Sequence, residues 1–117
     1  PQAAVAEIIA AARDLQRDLP AMSAHADRAR GIIERVGRVQ AVLALRVVEG
    51  RDVLVGTLGM AGFAELMDAF SRLERALNRA WSAAADGVLD EAQRCIDEAV
   101  AQAPEVERRL GRTGGPA

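Results

Sequence analysis

The sequence has very little of the chemistry from which reactive sites are built. Its 117 residues include one cysteine, one histidine, no tyrosine and no lysine. Because Cys95 is alone, an internal disulfide and a cysteine-based metal site are both excluded. A catalytic pair of the Cys–His type would have to join Cys95 to His25. We therefore expect a protein that is not an enzyme and that holds neither a metal nor a cofactor.

Signals for strands, nucleic-acid binding and membrane insertion are also scarce. Aromatic residues make up 3% of the chain, and no sustained alternation of apolar and polar residues marks a strand. Basic and acidic residues are interleaved and leave a net charge of −2, which gives nucleic acid no basic surface. The apolar runs are shorter than a membrane span. We expect a cytoplasmic protein that binds neither nucleic acid nor membrane.

Apolar residues, by contrast, make up 50% of the chain and recur at spacings of three and four, which is typical of amphipathic helices. Pro20 should end the first helix and Gly87 a later one, whereas Pro104 should kink or split the last. The second helix should be buried on more than one side, because its apolar stripe is widened by Ile32, Val39, Val42 and Val48.

Several helices with one apolar stripe each favour an all-α fold. We predict an antiparallel four-helix bundle of roughly residues 30–110, with an additional N-terminal helix packed across or along one end. Residues 1–111 are expected to form a single domain and 112–117 a disordered tail. The stripes predicted to form the core are Val5, Ile8, Ala12, Leu15 and Leu19; Met22, Ala26, Ala29, Ile33, Val36, Leu43 and Val47; Phe63, Leu66, Phe70, Leu73, Leu77 and Ala80; and Leu89, Ala92, Ile96, Ala99, Ala103, Val106 and Leu110.

The stretch DVLVGTLGMAGF, residues 52–63, departs from this pattern because it holds three glycines. A glycine inside a helix costs about 1 kcal/mol relative to alanine. Placed on a helix, Asp52, Gly56 and Gly59 lie close to one line, so another protein's backbone has room to approach beside Asp52. Gly62 is then expected to end that helix before Phe63. In a second interpretation Gly50 ends one helix and Asp52 caps the next.

The same stretch resembles the histidine-phosphotransfer (Hpt) domains of bacterial phosphorelays and chemotaxis kinases. Those domains place Leu two residues after their phosphorylatable His, Gly four after, a small residue five after, and a second Gly ten after, often followed by Phe. The matching residues here are Leu54, Gly56, Thr57, Gly62 and Phe63, and the pattern continues through Leu66, Leu73 and Glu74. It covers residues 52–77 in detail.

Two departures change what the resemblance implies. Asp52 stands where the family has its His, and Val55 stands where the family usually has Lys. A carboxylate on a helix face, without clustered acids and Mg²⁺, is a poor phosphoryl acceptor. The resemblance therefore implies a degenerate Hpt-like module that docks a receiver domain or a histidine kinase without transferring phosphate. Asp52 would imitate the phosphorylated state, Gly56 and Gly59 would allow close approach, and Arg51 and Val55 would flank them.

Two alternatives remain open. An active phosphotransfer protein would have to use His25, which has Arg28 three residues on but Ala29 where the family requires Gly. We expect His25 to be an ordinary surface or boundary residue. The other alternative is a structural helical adaptor or a homodimer with no phosphorelay role.

Overall fold

The computed structural model describes residues 2–111, and that part of the chain is all-α with no strand. The predicted fold class is confirmed. A short 3-10 turn, Leu19–Ala21, follows the first helix, and a π-helical segment, Val39–Leu43, precedes the third. The tail predicted at 112–117 lies outside the described residues. The helices are α1 (Gln2–Asp18), α2 (His25–Arg38), α3 (Ala44–Glu49), α4 (Arg51–Ala85) and α5 (Leu89–Gly111).

Two predicted helix ends are confirmed. α1 ends at Asp18, directly before the turn that contains Pro20. α4 ends before Gly87, whose φ of 77° is a left-handed conformation that suits glycine. The N–H of Val88 bonds the carbonyl of Ala83 at 2.8 Å, and the N–H of Gly87 bonds that of Ala84 at 3.0 Å. This pair of hydrogen bonds is the Schellman motif, and it turns the chain directly into α5.

α5 continues through Pro104 to Gly111, so of the two predicted effects, a kink or a split, the split is wrong. Proline removes one backbone hydrogen bond and crowds the preceding turn. On either side of it, however, Ala103 and Val106 are both 0% exposed. Burial of these two side chains in the common core holds the helical path across the proline.

The helices pack around one apolar core. α4 and α5 form an antiparallel hairpin with the most extensive contact in the molecule; α2 packs on α4, and α1 packs on both α5 and α2. α1 is therefore part of the core along its length, with six buried residues. The stripes predicted for α1, α4 and α5 are buried as expected, apart from the half-buried Phe63, Leu89 and Leu110.

The region after α2 differs from its prediction. The pattern predicts one continuous helix buried on more than one side, but the π-helical segment interrupts it at Val39. Ile32, Val36 and Val39 are buried. Val42 is 44% exposed and Val48 is 65% exposed, so the expected burial of these two side chains is wrong. A π-helical turn holds more residues than an α-helical turn, and it shifts the faces that follow it relative to the core.

Candidate functional site

Gly50 separates α3 from α4, the helix that carries Asp52. Its φ of −86° and ψ of 7° are not helical, and it is the C-cap of α3 and the N-cap of α4. The N–H of Gly50 bonds the carbonyl of Arg46 at 3.0 Å in the last turn of α3, and its carbonyl accepts from the N–H of Leu54 at 3.1 Å in the first turn of α4. Gly50 therefore ends one helix, as the second interpretation expects, but Gly50 and not Asp52 caps the next. Asp52 lies in the first turn of α4, and residues 44–58, divided at Gly50, are called here the 44–58 helix.

Gly59 ends the 44–58 helix. Its φ of 73° and ψ of 168° are non-helical, and they divide α4 into a first part, 51–58, and a longer part, 60–85. Gly56 and Gly59 therefore do not share a helix face, and that expectation is wrong. Side chains rarely adopt this backbone conformation, so glycine at position 59 serves the bend. Sequence spacing alone does not distinguish a glycine in a helix from one at a break.

The other two glycines have different surroundings. Gly62 lies inside the second part of α4, so it does not end a helix as expected. A Cβ placed on Gly62 would lie 3.2 Å from the Cβ of Leu58, which shows close packing across the bend. A Cβ on Gly56 would meet nothing within 4 Å. Gly56 therefore faces open space, and a partner can approach its backbone.

Burial fixes which side of the 44–58 helix faces outward. Val47 and Leu54, seven residues apart, are 2% and 0% exposed and anchor one side in the core. Arg51, Asp52, Gly56 and Gly59 are exposed, and Val55 is half-buried. Within the described residues Asp52 forms no ion pair. The predicted docking residues 51–56 thus share two turns of one helix, with Asp52 free to meet a partner.

Arg51 also contributes across the bend. Its guanidinium carbon lies 5.8 Å from the centroid of the Phe63 ring, a cation–π arrangement. Arg51 precedes Gly59 and Phe63 follows it. This contact therefore links the two parts of α4.

A surface that the sequence analysis missed lies along the same region. Of the seven large apolar side chains exposed in the described chain, five fall between residues 42 and 60: Val42, Leu45, Val48, Val53 and Met60, each 44–65% exposed. Contiguous exposed apolar patches, unlike scattered exposed apolar residues, are typical of interaction sites. Helical spacing shows which residues share a face but not whether another element covers that face, so the sequence offered no signal for this surface.

His25 lies far along the chain from this helix and lines a separate groove of about 550 Å³. Ser23, Arg28 and Asp90 line the same groove, a grouping that sequence reasoning did not anticipate. His25 is exposed, and no hydrogen bond in residues 2–111 joins it to Ser23 or Asp90. The Arg28 Nε–H donates to the carbonyl of Met22. The groove therefore has no hydrogen-bonded Ser–His–Asp relay.

Other reactive arrangements are equally limited in the described part of the chain. No three His, Cys, Asp or Glu side chains within residues 2–111 lie close enough to hold a metal ion. Asp52 therefore lacks the neighbouring acids with which a phosphate-accepting carboxylate binds Mg²⁺. Burial raises the pKa of the Cys95 thiol, and this side chain is only 6% exposed. Both properties disfavour a thiolate nucleophile.

Among the described helices, only α4 is long and apolar enough to cross a membrane by length and composition. Its most apolar 18-residue window has a mean hydropathy of 1.4, and 22% of that window is buried. The bend at Gly59 lies in this helix.

No family model, no curated protein and no solved structure matches this chain.

Proposed function

We propose that this chain is a non-catalytic, Hpt-like signalling module that docks a response-regulator receiver domain or a histidine kinase without transferring phosphate. The observation that carries the proposal is the exposure of Asp52 and Gly56, one turn apart on the 44–58 helix. In the resemblance, these are the positions of the phosphoryl-accepting His and of the glycine that lets a receiver approach. We also propose that the helices of this chain form the antiparallel four-helix bundle that is typical of Hpt domains, with the 44–58 helix as part of it.

The helical position of Asp52 supports this interpretation. Hpt domains usually hold their His well inside a helix, and a cap residue at that position would weaken the match. Gly50, not Asp52, is the N-cap of α4, so Asp52 lies inside the helix in its first turn, with α3 directly before it. A side chain at position 56 would meet no atom within 4 Å of its Cβ, which leaves the space that a docking backbone needs.

The chemistry of Asp52 explains why docking is proposed without transfer. A neutral imidazole has a nucleophilic nitrogen at pH 7, whereas a carboxylate that accepts phosphate needs nearby cations to balance the added charge. Val55 provides no charge where the family has Lys, and Asp52 has no acid cluster around it within the described residues. A fixed negative charge at this position resembles a phosphorylated imidazole in sign.

The direct test is binding to purified receiver domains from the source genome, with kinase phosphotransfer and catalytic domains as a second panel. Wild type is compared with Asp52→Arg and with Asp86→Arg, the same change at an exposed position at the far end of α4. We expect wild type and Asp86→Arg to bind one receiver or kinase domain, and Asp52→Arg to bind at least tenfold more weakly. No binding by wild type, or equal binding by Asp52→Arg, would overturn the proposal.

The same proteins address the alternative that uses His25. A receiver or kinase domain carrying labelled phosphate is mixed with the chain, and the acid-labile label on the chain is measured. We expect no label. A label that is lost in His25→Ala would replace the docking proposal with an active phosphotransfer protein.

A further inference from the structure

Four exposed side chains form a second line along the 44–58 helix and the turn before it. They are Val42 near the end of the π-helical segment, Arg46 and Glu49 in α3, and Val53 in α4, separated by four, three and four residues, which is the spacing of one helix face. We call this set the 42–53 stripe. Val42 and Val53 are 44% and 60% exposed, and the Arg46 side chain is 56% exposed. The order along the stripe is apolar, positive, negative, apolar.

This order is self-complementary in one orientation only. When two copies lie antiparallel, the ends of the stripe exchange, so Val42 meets Val53 of the partner copy and Arg46 meets Glu49 of the partner copy. A two-fold axis repeats each contact, as closed dimers require. When two copies lie parallel and in register, Arg46 meets Arg46 and Glu49 meets Glu49, and like charges oppose each other. The stripe therefore favours an antiparallel pair.

The charges on the stripe are incompletely matched inside one copy. Glu49 forms no ion pair within the described residues, and Arg46 reaches Glu7 of α1 at 3.4 Å, near the outer limit for such a contact. A guanidinium has five N–H donors, so Arg46 can hold Glu7 and a second carboxylate together. In the antiparallel arrangement, Glu49 of a second copy would be that carboxylate, and Arg46 of the second copy would face Glu49.

Further exposed apolar side chains lie close to the stripe in the sequence. Leu45 and Val48 in α3 and Met60 after the bend are each more than half exposed. Exposed apolar side chains close to a charged pair are typical of protein–protein interfaces, where an apolar centre is bordered by polar groups.

From the antiparallel complementarity and the exposed apolar side chains at and around the stripe, we infer that the 42–53 stripe binds a second copy of this chain. The inference goes beyond docking of a receiver or a kinase and does not depend on it. Asp52 and Gly56 lie on the neighbouring line of the same helix, so the two surfaces can be altered separately.

Charge reversal tests the inference through rescue. Mass is measured by light scattering and sedimentation equilibrium over a concentration series for wild type, Arg46→Glu, Glu49→Arg and the double variant. We expect wild type to reach twice the monomer mass. The dissociation constant of the dimer should be at least tenfold higher for each single variant than for wild type, and the double variant should recover the wild-type value. Arg75→Glu, an exposed reversal on α4, is the control and should associate like wild type.

Arg46→Glu removes the contact of Arg46 with Glu7 in both the single and the double variant. If the double variant nevertheless recovers association, the single variant had lost an interface contact and not its fold. Melting temperatures are recorded for each protein. A wild type that stays monomeric at every concentration overturns the inference. Single reversals that associate like wild type overturn it as well, since the second copy then uses another face. A double variant that fails to recover while melting like wild type also contradicts the pairing.

Cysteine cross-linking tests the orientation. Val42 and Val53 are eleven residues apart, about 16 Å along a helix, whereas disulfide-bonded Cα atoms lie within about 7 Å. A mixture of Val42→Cys and Val53→Cys proteins should form a covalent dimer under mild oxidation, and Val42→Cys alone should not. Cys95, which is buried, is present in every sample as the background. Cross-linking by Val42→Cys alone would indicate a parallel pair and contradict the inference.

Discussion

Glycines that are alike in the sequence have three different tasks in the structure. Gly59 adopts a positive φ and bends α4, Gly62 lets Leu58 pack closely, and Gly56 leaves open surface. The sequence shows that the stretch is unusual but assigns Gly59 and Gly62 to the wrong tasks. Backbone angles at a break depend on how the segments on both sides pack against the core, and helical spacing contains no information on that.

Replacing each of two glycines with alanine should have opposite effects on stability. Gly59→Ala should lower the free energy of unfolding by about 1–3 kcal/mol, because a side chain is strained at this φ and ψ. Gly56→Ala should raise it by up to about 1 kcal/mol, since residue 56 is helical and its Cβ meets nothing. Urea unfolding monitored by circular dichroism measures both. Equal effects of the two substitutions would contradict the bend at Gly59.

Cys95 should react slowly while the protein is folded. Its side chain is 6% exposed, and burial raises the pKa of its thiol, so thiolate is scarce at the surface. Labelling with a thiol reagent at pH 8 is expected to be at least tenfold slower in buffer than in denaturant. A rate in buffer equal to that in denaturant would show that α5 does not pack as described.

Elements differ in how far the sequence determines them. The stripes of α1, α4 and α5 are regular and are buried as predicted, because each faces a neighbouring helix along its length. The region from Val39 to Gly59 is predicted poorly. A π-helical segment opens it and a positive-φ glycine closes it, and both are local exceptions whose stability comes from packing elsewhere in the chain.

A matched pair of leucines tests the difference between a covered and an uncovered stripe. Leu73 in α4 is 0% exposed and Leu45 in α3 is 54% exposed. Leu73→Ala should lower the free energy of unfolding by about 2–5 kcal/mol, because it leaves a cavity. Leu45→Ala should change it by no more than about 0.5 kcal/mol when measured on the monomer. Similar losses for both would mean that α3 is buried.

Ion pairs between and within helices should make the fold sensitive to acid. Arg13 of α1 donates to both carboxylate oxygens of Glu107 in α5, at 3.0 and 2.7 Å, and this lowers the pKa of Glu107. Arg35 and Arg17 lower the pKa of Asp18, and Arg108 and Arg109 lower that of Glu105. A carboxyl whose pKa is lowered by folding stabilises the fold above its unfolded pKa, and the contribution is lost as pH falls through the folded pKa.

The melting temperature should therefore stay level from neutral pH to about pH 5 and fall as the pH drops through and below about 4. Because these groups are largely solvated, the fall attributable to each is small. Glu107→Gln should melt below wild type at pH 7, and the difference should shrink as the pH falls through the lowered pKa of Glu107 and wild type loses the charge on this residue. A constant difference between the two proteins across this range would contradict the assignment of the shift to the Arg13 contact.

At the scale of the molecule, the sequence predicts the all-α class and most of the core, but it does not predict where the surface is left uncovered. Exposed apolar residues between Val42 and Met60 resemble core residues in their spacing. Only the packing of the described helices shows that these side chains stay exposed: α2 and α5 pack on α4, and α1 packs on α5, α2 and α3. The proposed docking depends on that uncovered helix and on the charge of Asp52.

Docking of a signalling partner through Asp52, with no transfer of phosphate, is testable in one titration. The chain is titrated with the receiver domain that it binds, labelled with phosphate, and bound fraction and transferred label are measured in the same samples. We predict saturable binding, a dissociation constant at least tenfold higher for Asp52→Arg than for Asp86→Arg, and no acid-labile label on the chain. Label on the chain, or equal dissociation constants for the two variants, would contradict the proposed function.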